Sequence, residues 1–281
     1  MKPFAYNHCN QNTETMTIFK SIGQAKKETK LSYLGAINSS PKMIKNKKVS
    51  GQYTYILYLA PAELSGRDVC SHSTVECRMA CLFTSGRVKM ENGGGVKTIT
   101  NARIKKTKLF FENQPLFMNW LIAEILMYQR KAEKDGFGFS VRLNGTSDID
   151  WQNVIFNGNN IFELFPDVQF YDYTKNPSKF SDKSGNYHLT FSYSGRNGDI
   201  AAKVLSKGQN VAVVFNTKKG QALPETFAGY KVIDGDLTDY RVDDGKGVIV
   251  GLRFKEIANK KDAETSKKSI FVVDALTQST L

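Results

Sequence analysis

The chain has 281 residues, 41% hydrophobic and 11% aromatic, with 39 Lys and Arg against 27 Asp and Glu for a net charge of +12. That apolar content supports a sizeable core, excludes intrinsic disorder for most of the chain, and allows one large domain or two small ones. No run approaches the roughly 18 to 20 apolar residues of a membrane span, and the start MKPFAYNHCNQNTETM has no apolar signal region. A soluble, cytoplasmic protein that makes no membrane contact is therefore expected, one whose basic surplus attracts nucleic acid, nucleotides or other anions.

Residues 1–50 are polar and lysine-rich, with Gly, Ser and Pro punctuation, and read as an N-terminal arm or cap; residues 51–281 read as the folded domain. YTYILYLAPA (53–62) is β-branched and aromatic with little alternation, the pattern of a strand buried on both faces. After the glycine turn Gly93–Gly95 a helix is predicted over NARIKKTKLFF. A second starts near Pro115, carries Phe117, Leu121, Ile125 and Tyr128 on one face, and stops near Asp135 and Gly136.

Strands are then predicted at 137–144, 168–174, 187–193, 210–216, 230–234 and 247–254, with another at 270–276. Helical connections fall near Ile161–Phe165, Pro177–Phe180 and Asn197–Lys207. Alternation of this kind argues for parallel pairing in an α/β barrel, part-barrel or open sheet. Sites in such folds gather beyond the carboxyl ends of the strands, which nominates Arg142, Asn144, Asp148, Tyr173, Lys175, Ser194 and Arg196.

The first strand leads into Cys70-Ser-His-Ser-Thr-Val-Glu-Cys77-Arg-Met-Ala-Cys81, three thiols spaced C-x6-C-x3-C. In a chain with four cysteines and no signal region this is a metal-ligand pattern rather than a disulfide framework, and both zinc and iron–sulfur clusters take thiolates. Three cysteines without an obvious fourth suit a [4Fe-4S] cluster with one open iron. His72 lies too close to Cys70 for easy joint ligation, and Cys9 is the remaining candidate for a fourth ligand.

A three-cysteine loop after the first strand of a βα part-barrel resembles radical S-adenosylmethionine enzymes, whose common spacing is instead C-x3-C-x2-C. That likeness implies a partial βα barrel, S-adenosylmethionine bound at the open iron, and an external electron donor. The cysteine loop with LFTSGRV (82–88), TNARIKKTKLFF and MNWLIAEI, RLNGTSDIDW (142–151), FYDYTKNP (170–177), YHLTFSYSGRNGD (187–199) and 223–255 is similar to the phage gene product 88 family over about residues 50–262. Membership implies a phage protein working in the host cytoplasm. Cys70, Cys77 and Cys81 match the family's cysteine motif, although Ser71 and Leu82 stand where relatives often carry proline and tyrosine.

Together these readings give an α/β protein with a radical-enzyme-like part-barrel and the three cysteines as metal ligands. Asp148, Tyr173 and Lys175 are the candidate catalytic groups, and Arg142, Asn144, Ser194 and Arg196 the cofactor-binding ones. The substrate class suggested by charge is a nucleotide or nucleic acid. The alternative is a zinc-stabilised nucleic-acid-binding protein that does no chemistry. Asp234, Asp236 and Asp239 in DGDLTD read either as turn caps or as a cation or acid–base cluster.

Overall fold

A computed structural model describes Phe19 and residues 21–37, 41–81, 97–181, 184–255 and 260–275. The glycine turn 93–95, LFTSGRV and Cys9 lie outside the described residues. Helix α1 (Ile22–Thr29) is capped by Ser21, whose Oγ accepts from Gln24 N, and stops at Lys30 in the left-handed region. Strand β1 (Gly35–Ala36) and helix α2 (Pro41–Ser50) follow. Leu34 and Met43 are fully buried, so residues 21–37 and helix α2 pack against the rest of the molecule.

Strand β2 (Gln52–Leu57) runs to the short helix α3 (Val75–Met79). Helices α4 (Thr98–Glu112) and α5 (Gln114–Asp135) then form the long crossover to β3 (Gly138–Arg142). Asn113 caps α5 by accepting from Leu116 N, and Gly136 ends it at φ 74°, a conformation open to glycine. After one turn of helix α6 (Ile161–Leu164) come β4 (Gln169–Thr174), β5 (Tyr187–Ser192), helix α7 (Gly198–Ser206) and β6 (Asn210–Phe215). The chain closes with β7 (Thr226–Phe227), β8 (Tyr230–Asp234), β9 (Ile249–Arg253), helix α8 (Lys260–Lys267) and β10 (Val272–Val273).

Among the described residues ten strands form one mixed sheet in the order β1-β2-β3-β4-β5-β6-β9-β8-β7, with β10 beside β6 off this path, parallel throughout except for the antiparallel pairs β1–β2 and β7–β8 at its two ends. The part-barrel of radical-enzyme type is thereby corrected to an open, mostly parallel sheet. A barrel has no edges, whereas this sheet ends in two-residue antiparallel strands. Its crossovers are also too slight for an outer helical ring: β3 to β4 has only the four-residue α6 and a 3-10 turn, and β4 to β5 only the 3-10 turn Pro177–Ser181. β7 and β8 join through Ala228 and Gly229, both at positive φ, the tight turn that suits strand twist.

Along the strands, side chains alternate between a face covered by α5 and α7 and one covered in part by α2 and Tyr240. Tyr55, Leu57, Val141 and Phe170 pack on Phe117, Trp120, Leu121 and Ile125 of α5, while Phe191, Val211, Val213 and Ile249 pack on Ala201, Val204 and Leu205 of α7. Thr54, Ser140, Arg142, Tyr171, Tyr173, Thr190 and Ser192 fall on the opposite face. Near its carboxyl end the sheet forks. β5 pairs with β6 only over Asn210–Ala212, and β10 then pairs with Val214 and Phe215 in its place. Gly195 lies so close to the Ile270 carbonyl that a Cβ there would stand at 2.3 Å, so glycine permits this wedge. Among the described residues no helix is long and apolar enough to cross a membrane.

Candidate functional site

The fork opens a pocket of about 230 Å³ beyond the carboxyl ends of the parallel strands. Cys70, Cys77 and Cys81 form one wall with Ala80, and Phe271 of the wedge, Val214 and Leu252 form the apolar side. Opposite stand Arg142, Asp148, Tyr173, Lys175 and Asp239.

Short-range bonds shape the cysteine loop. Cys70 N donates to Asp68 Oδ1 at 2.8 Å, and Ser73 N donates to Cys70 O to close a turn. Thr74 Oγ1 then caps α3 by accepting from Cys77 N at 3.2 Å. None of the three cysteines is in a disulfide. Burial pushes the Cys70 thiol up to about 11; the Ala62 backbone opposes this, and Cys81, Asp148 and Cys77 add to it. Among the described residues no three His, Cys, Asp or Glu side chains stand as ligands around a single metal ion. His72 is exposed, bonded to Ser71 Oγ, and is not part of the pocket lining.

Each nominated residue has a definite place. Asp148 is saturated: Oδ1 accepts from Thr174 Oγ1 at 2.8 Å and from Lys179 Nζ at 2.5 Å, and Oδ2 from Lys175 N at 2.9 Å. Asn144 is equally committed. Its Oδ1 accepts from Ser147, Ile149 and Trp151, and its Nδ2 donates to Ile149 O, knotting the loop that follows β3. Arg142 donates through Nη1 to Asp239 Oδ2 at 2.8 Å and lies over the Tyr173 ring at 4.8 Å. Burial opposes its charge, but Asp239, Tyr173 and Asp172 outweigh burial and hold it cationic. Lys175 donates to Ser192 Oγ at 2.9 Å and lies 5.6 Å from the Phe271 ring centre.

Ser194 and Arg196 do not line this pocket. Ser194 is buried in the β5–α7 turn, and Arg196 points to α3, where Nη2 meets Glu76 Oε1 at 2.5 Å. Asn197 stands at the N-cap position of α7 but makes no capping bond there; its side chain instead accepts from Ser194 N and donates to Ser192 O. Sequence reasoning did not nominate Arg253, Ser192 or Phe271. Arg253 pairs with Asp234 at 2.8 Å and Asp236 at 3.4 Å, and as the last residue of β9 it fits the strand-end rule. Phe271 comes from the tail and gave no local signal.

Behind this wall Asp172 is fully buried, accepting from Asn144 N at 2.9 Å and Leu143 N at 3.3 Å. Burial raises its carboxyl to about 7 against the pull of Arg142 and the Asn144 amide. The folded state therefore keeps a proton that the unfolded chain releases near pH 4. Its stabilisation is complete below that pH and is lost as pH rises through about 7. Urea unfolding should show stability falling by a few kcal/mol, at most about 1.4 per pH unit, between pH 4 and 7. Asp172→Asn should flatten that slope, and an unchanged slope would refute the assignment.

No curated protein and no solved structure matches the chain. A family model, described as Gene product 88, matches residues 17–271 and thus takes in the N-terminal helices as well as the sheet and the cysteine loop. With nearly the whole described sheet inside that match, the chain belongs to the phage gene product 88 family.

Proposed function

We propose that the strand-end pocket is an enzyme's active site built around an iron–sulfur cluster on Cys70, Cys77 and Cys81, with S-adenosylmethionine as the co-substrate. The observation that carries this reading is the convergence of the three cysteines on one pocket with Arg142, Tyr173 and Lys175. The donor set fits a polynuclear centre. Its candidate ligands are all thiols, and Asp148 is already taken by Lys179, Thr174 and Lys175. A cubane spreads its cysteines over separate irons and, with three of them, leaves one iron open.

When bound, such a cluster supplies an electron from an external donor that cleaves S-adenosylmethionine to a carbon radical able to take hydrogen from a substrate. The chain's own groups prepare the space. Phe271, Val214 and Leu252 keep water from one side, and Arg142, held by Asp239 and stacked on Tyr173, presents a fixed cation on the other. With a net charge of +12 the protein suits a nucleotide or nucleic-acid substrate.

Purification without oxygen tests the reading. The expected protein is brown, carries about four irons and four sulfides per chain, and cleaves S-adenosylmethionine when reduced. Cys77→Ser should lose most of the iron. A colourless protein with one zinc and salt-sensitive binding of DNA would replace this reading with a metal-stabilised nucleic-acid-binding protein.

A further inference from the structure

The face of β3, β4 and β5 turned away from α5 carries more hydrogen-bond donors than the protein uses. Arg142, Tyr173 and Lys175 line the pocket, and Thr190 is the register partner of Tyr173 on β5. Alternation along β4 puts Tyr173 and Lys175 on the same face, and Thr190 and Ser192 share it on β5. Arg142 Nε is buried and donates to nothing; the nearest carboxylate oxygen, Asp172 Oδ1, is 3.6 Å away. Tyr173 Oη and Thr190 Oγ1 are also buried without a hydrogen-bond partner. Buried polar groups are ordinarily satisfied, so the unpaired Arg142 and Tyr173 atoms of the pocket-lining residues mark a place where a ligand or water completes the set.

Charge narrows the ligand. Among the described residues Lys175 has no carboxylate within 4 Å, and its ammonium meets only Ser192 Oγ and the Phe271 ring. The neighbouring acids are occupied, Asp148 by Lys179 and Asp239 by Arg142. Arginine and lysine can only donate, and the hydroxyl of Tyr173 can turn to donate as well. The complement of that array is a group with several acceptor lone pairs and a negative charge.

We propose that Arg142, Tyr173 and Lys175 form an oxyanion site that takes the carboxylate or phosphate of a ligand entering the strand-end pocket. Charge-assisted bonds from guanidinium and ammonium to such a group are the strong class, and the apolar wall opposite leaves room for the rest of the molecule. The site is built from β3, β4 and the turn that follows β4, so it does not depend on whether the cysteines hold iron.

Calorimetric titration of the full-length protein with inorganic phosphate, adenosine monophosphate and methionine tests it. The first two probe phosphate and the third a carboxylate. At least one should bind, more weakly as salt is raised, and whichever binds identifies the source of the anion. Lys175→Met should weaken that binding about tenfold or more, and Tyr173→Phe, which keeps the ring under Arg142, severalfold. Circular dichroism and the urea midpoint show whether each variant is folded, and Lys175→Gln replaces Lys175→Met if the latter is not. Failure of all three probes at millimolar concentration, or wild-type affinity in a folded Lys175 variant, would overturn the site. Oxyanion binding by protein that carries no iron after oxygen-free purification would leave this site standing, the missing iron alone removing the cluster reading.

Discussion

Replacing Lys179 with methionine should destabilise the protein by about 3–5 kcal/mol, because it strands a charge that nothing else neutralises. The Lys179 side chain has no exposed surface, and its ammonium donates to Asp148 Oδ1 at 2.5 Å and to Ile149 O at 2.7 Å. Without it, the largely buried Asp148 carboxylate keeps Thr174 and the Lys175 amide but loses its counter-ion. Removing both charges should be milder than this suggests. A Lys179→Met, Asp148→Leu double variant should lose less stability than the two single changes added together, by about 0.5–3 kcal/mol. Urea unfolding of the four proteins gives the coupling directly, and additive effects would show that the pair is not a unit. Loss of Asp148 also frees the Lys175 backbone, so the same cycle reports how firmly the pocket floor is held.

Glu124→Ala is expected to cost a similar amount, about 3–5 kcal/mol, where α5 meets β1 and β2. This α5 carboxylate is buried and accepts from Leu34 N and Gly35 N, each at 2.9 Å, and from Tyr55 Oη at 2.7 Å. Lys106, also buried, donates to Leu34 O at 2.7 Å. Alanine would leave three donors unpaired and Lys106 without its nearest acid. Glu124→Gln keeps acceptor capacity and should lose roughly half as much. The damage should be local to residues 31–36, with faster amide exchange at Leu34 and Gly35 than at β3. A variant whose exchange quickens evenly across the sheet would contradict this anchoring role.

The strands were legible because parallel strands buried by helices read as nearly unbroken apolar runs. NVAVVFN and VQFYDYT therefore identify β6 and β4 to within a residue or two. Helix α5 was equally plain from Phe117, Leu121 and Ile125 together with Gly136. What alternation of strands and helices cannot convey is whether the sheet closes, since an open sheet and a part-barrel share that pattern. Here the difference lies in short antiparallel edges and in connections of one helical turn.

The strand-end rule led to Arg142, Asn144, Asp148, Tyr173 and Lys175, all of which stand round the pocket. It could not show which of them are already spent. Asp148 meets Lys179, 31 positions away, and Arg142 meets Asp239, 97 positions away, so occupied and unoccupied groups separate only in three dimensions. Arg196 illustrates the same limit in reverse, because a strand end turned away from the pocket looks no different in sequence from one turned toward it.

The intrusion of β10 beside β6 bears on how the molecule is made. Phe271 completes an apolar side whose other members, Val214 and Leu252, come from the strands, so a chain made only as far as β9 leaves its cysteines and strand ends more open until Val272 and Val273 have paired with β6. A group loaded before that pairing would meet a wider opening than one loaded after it.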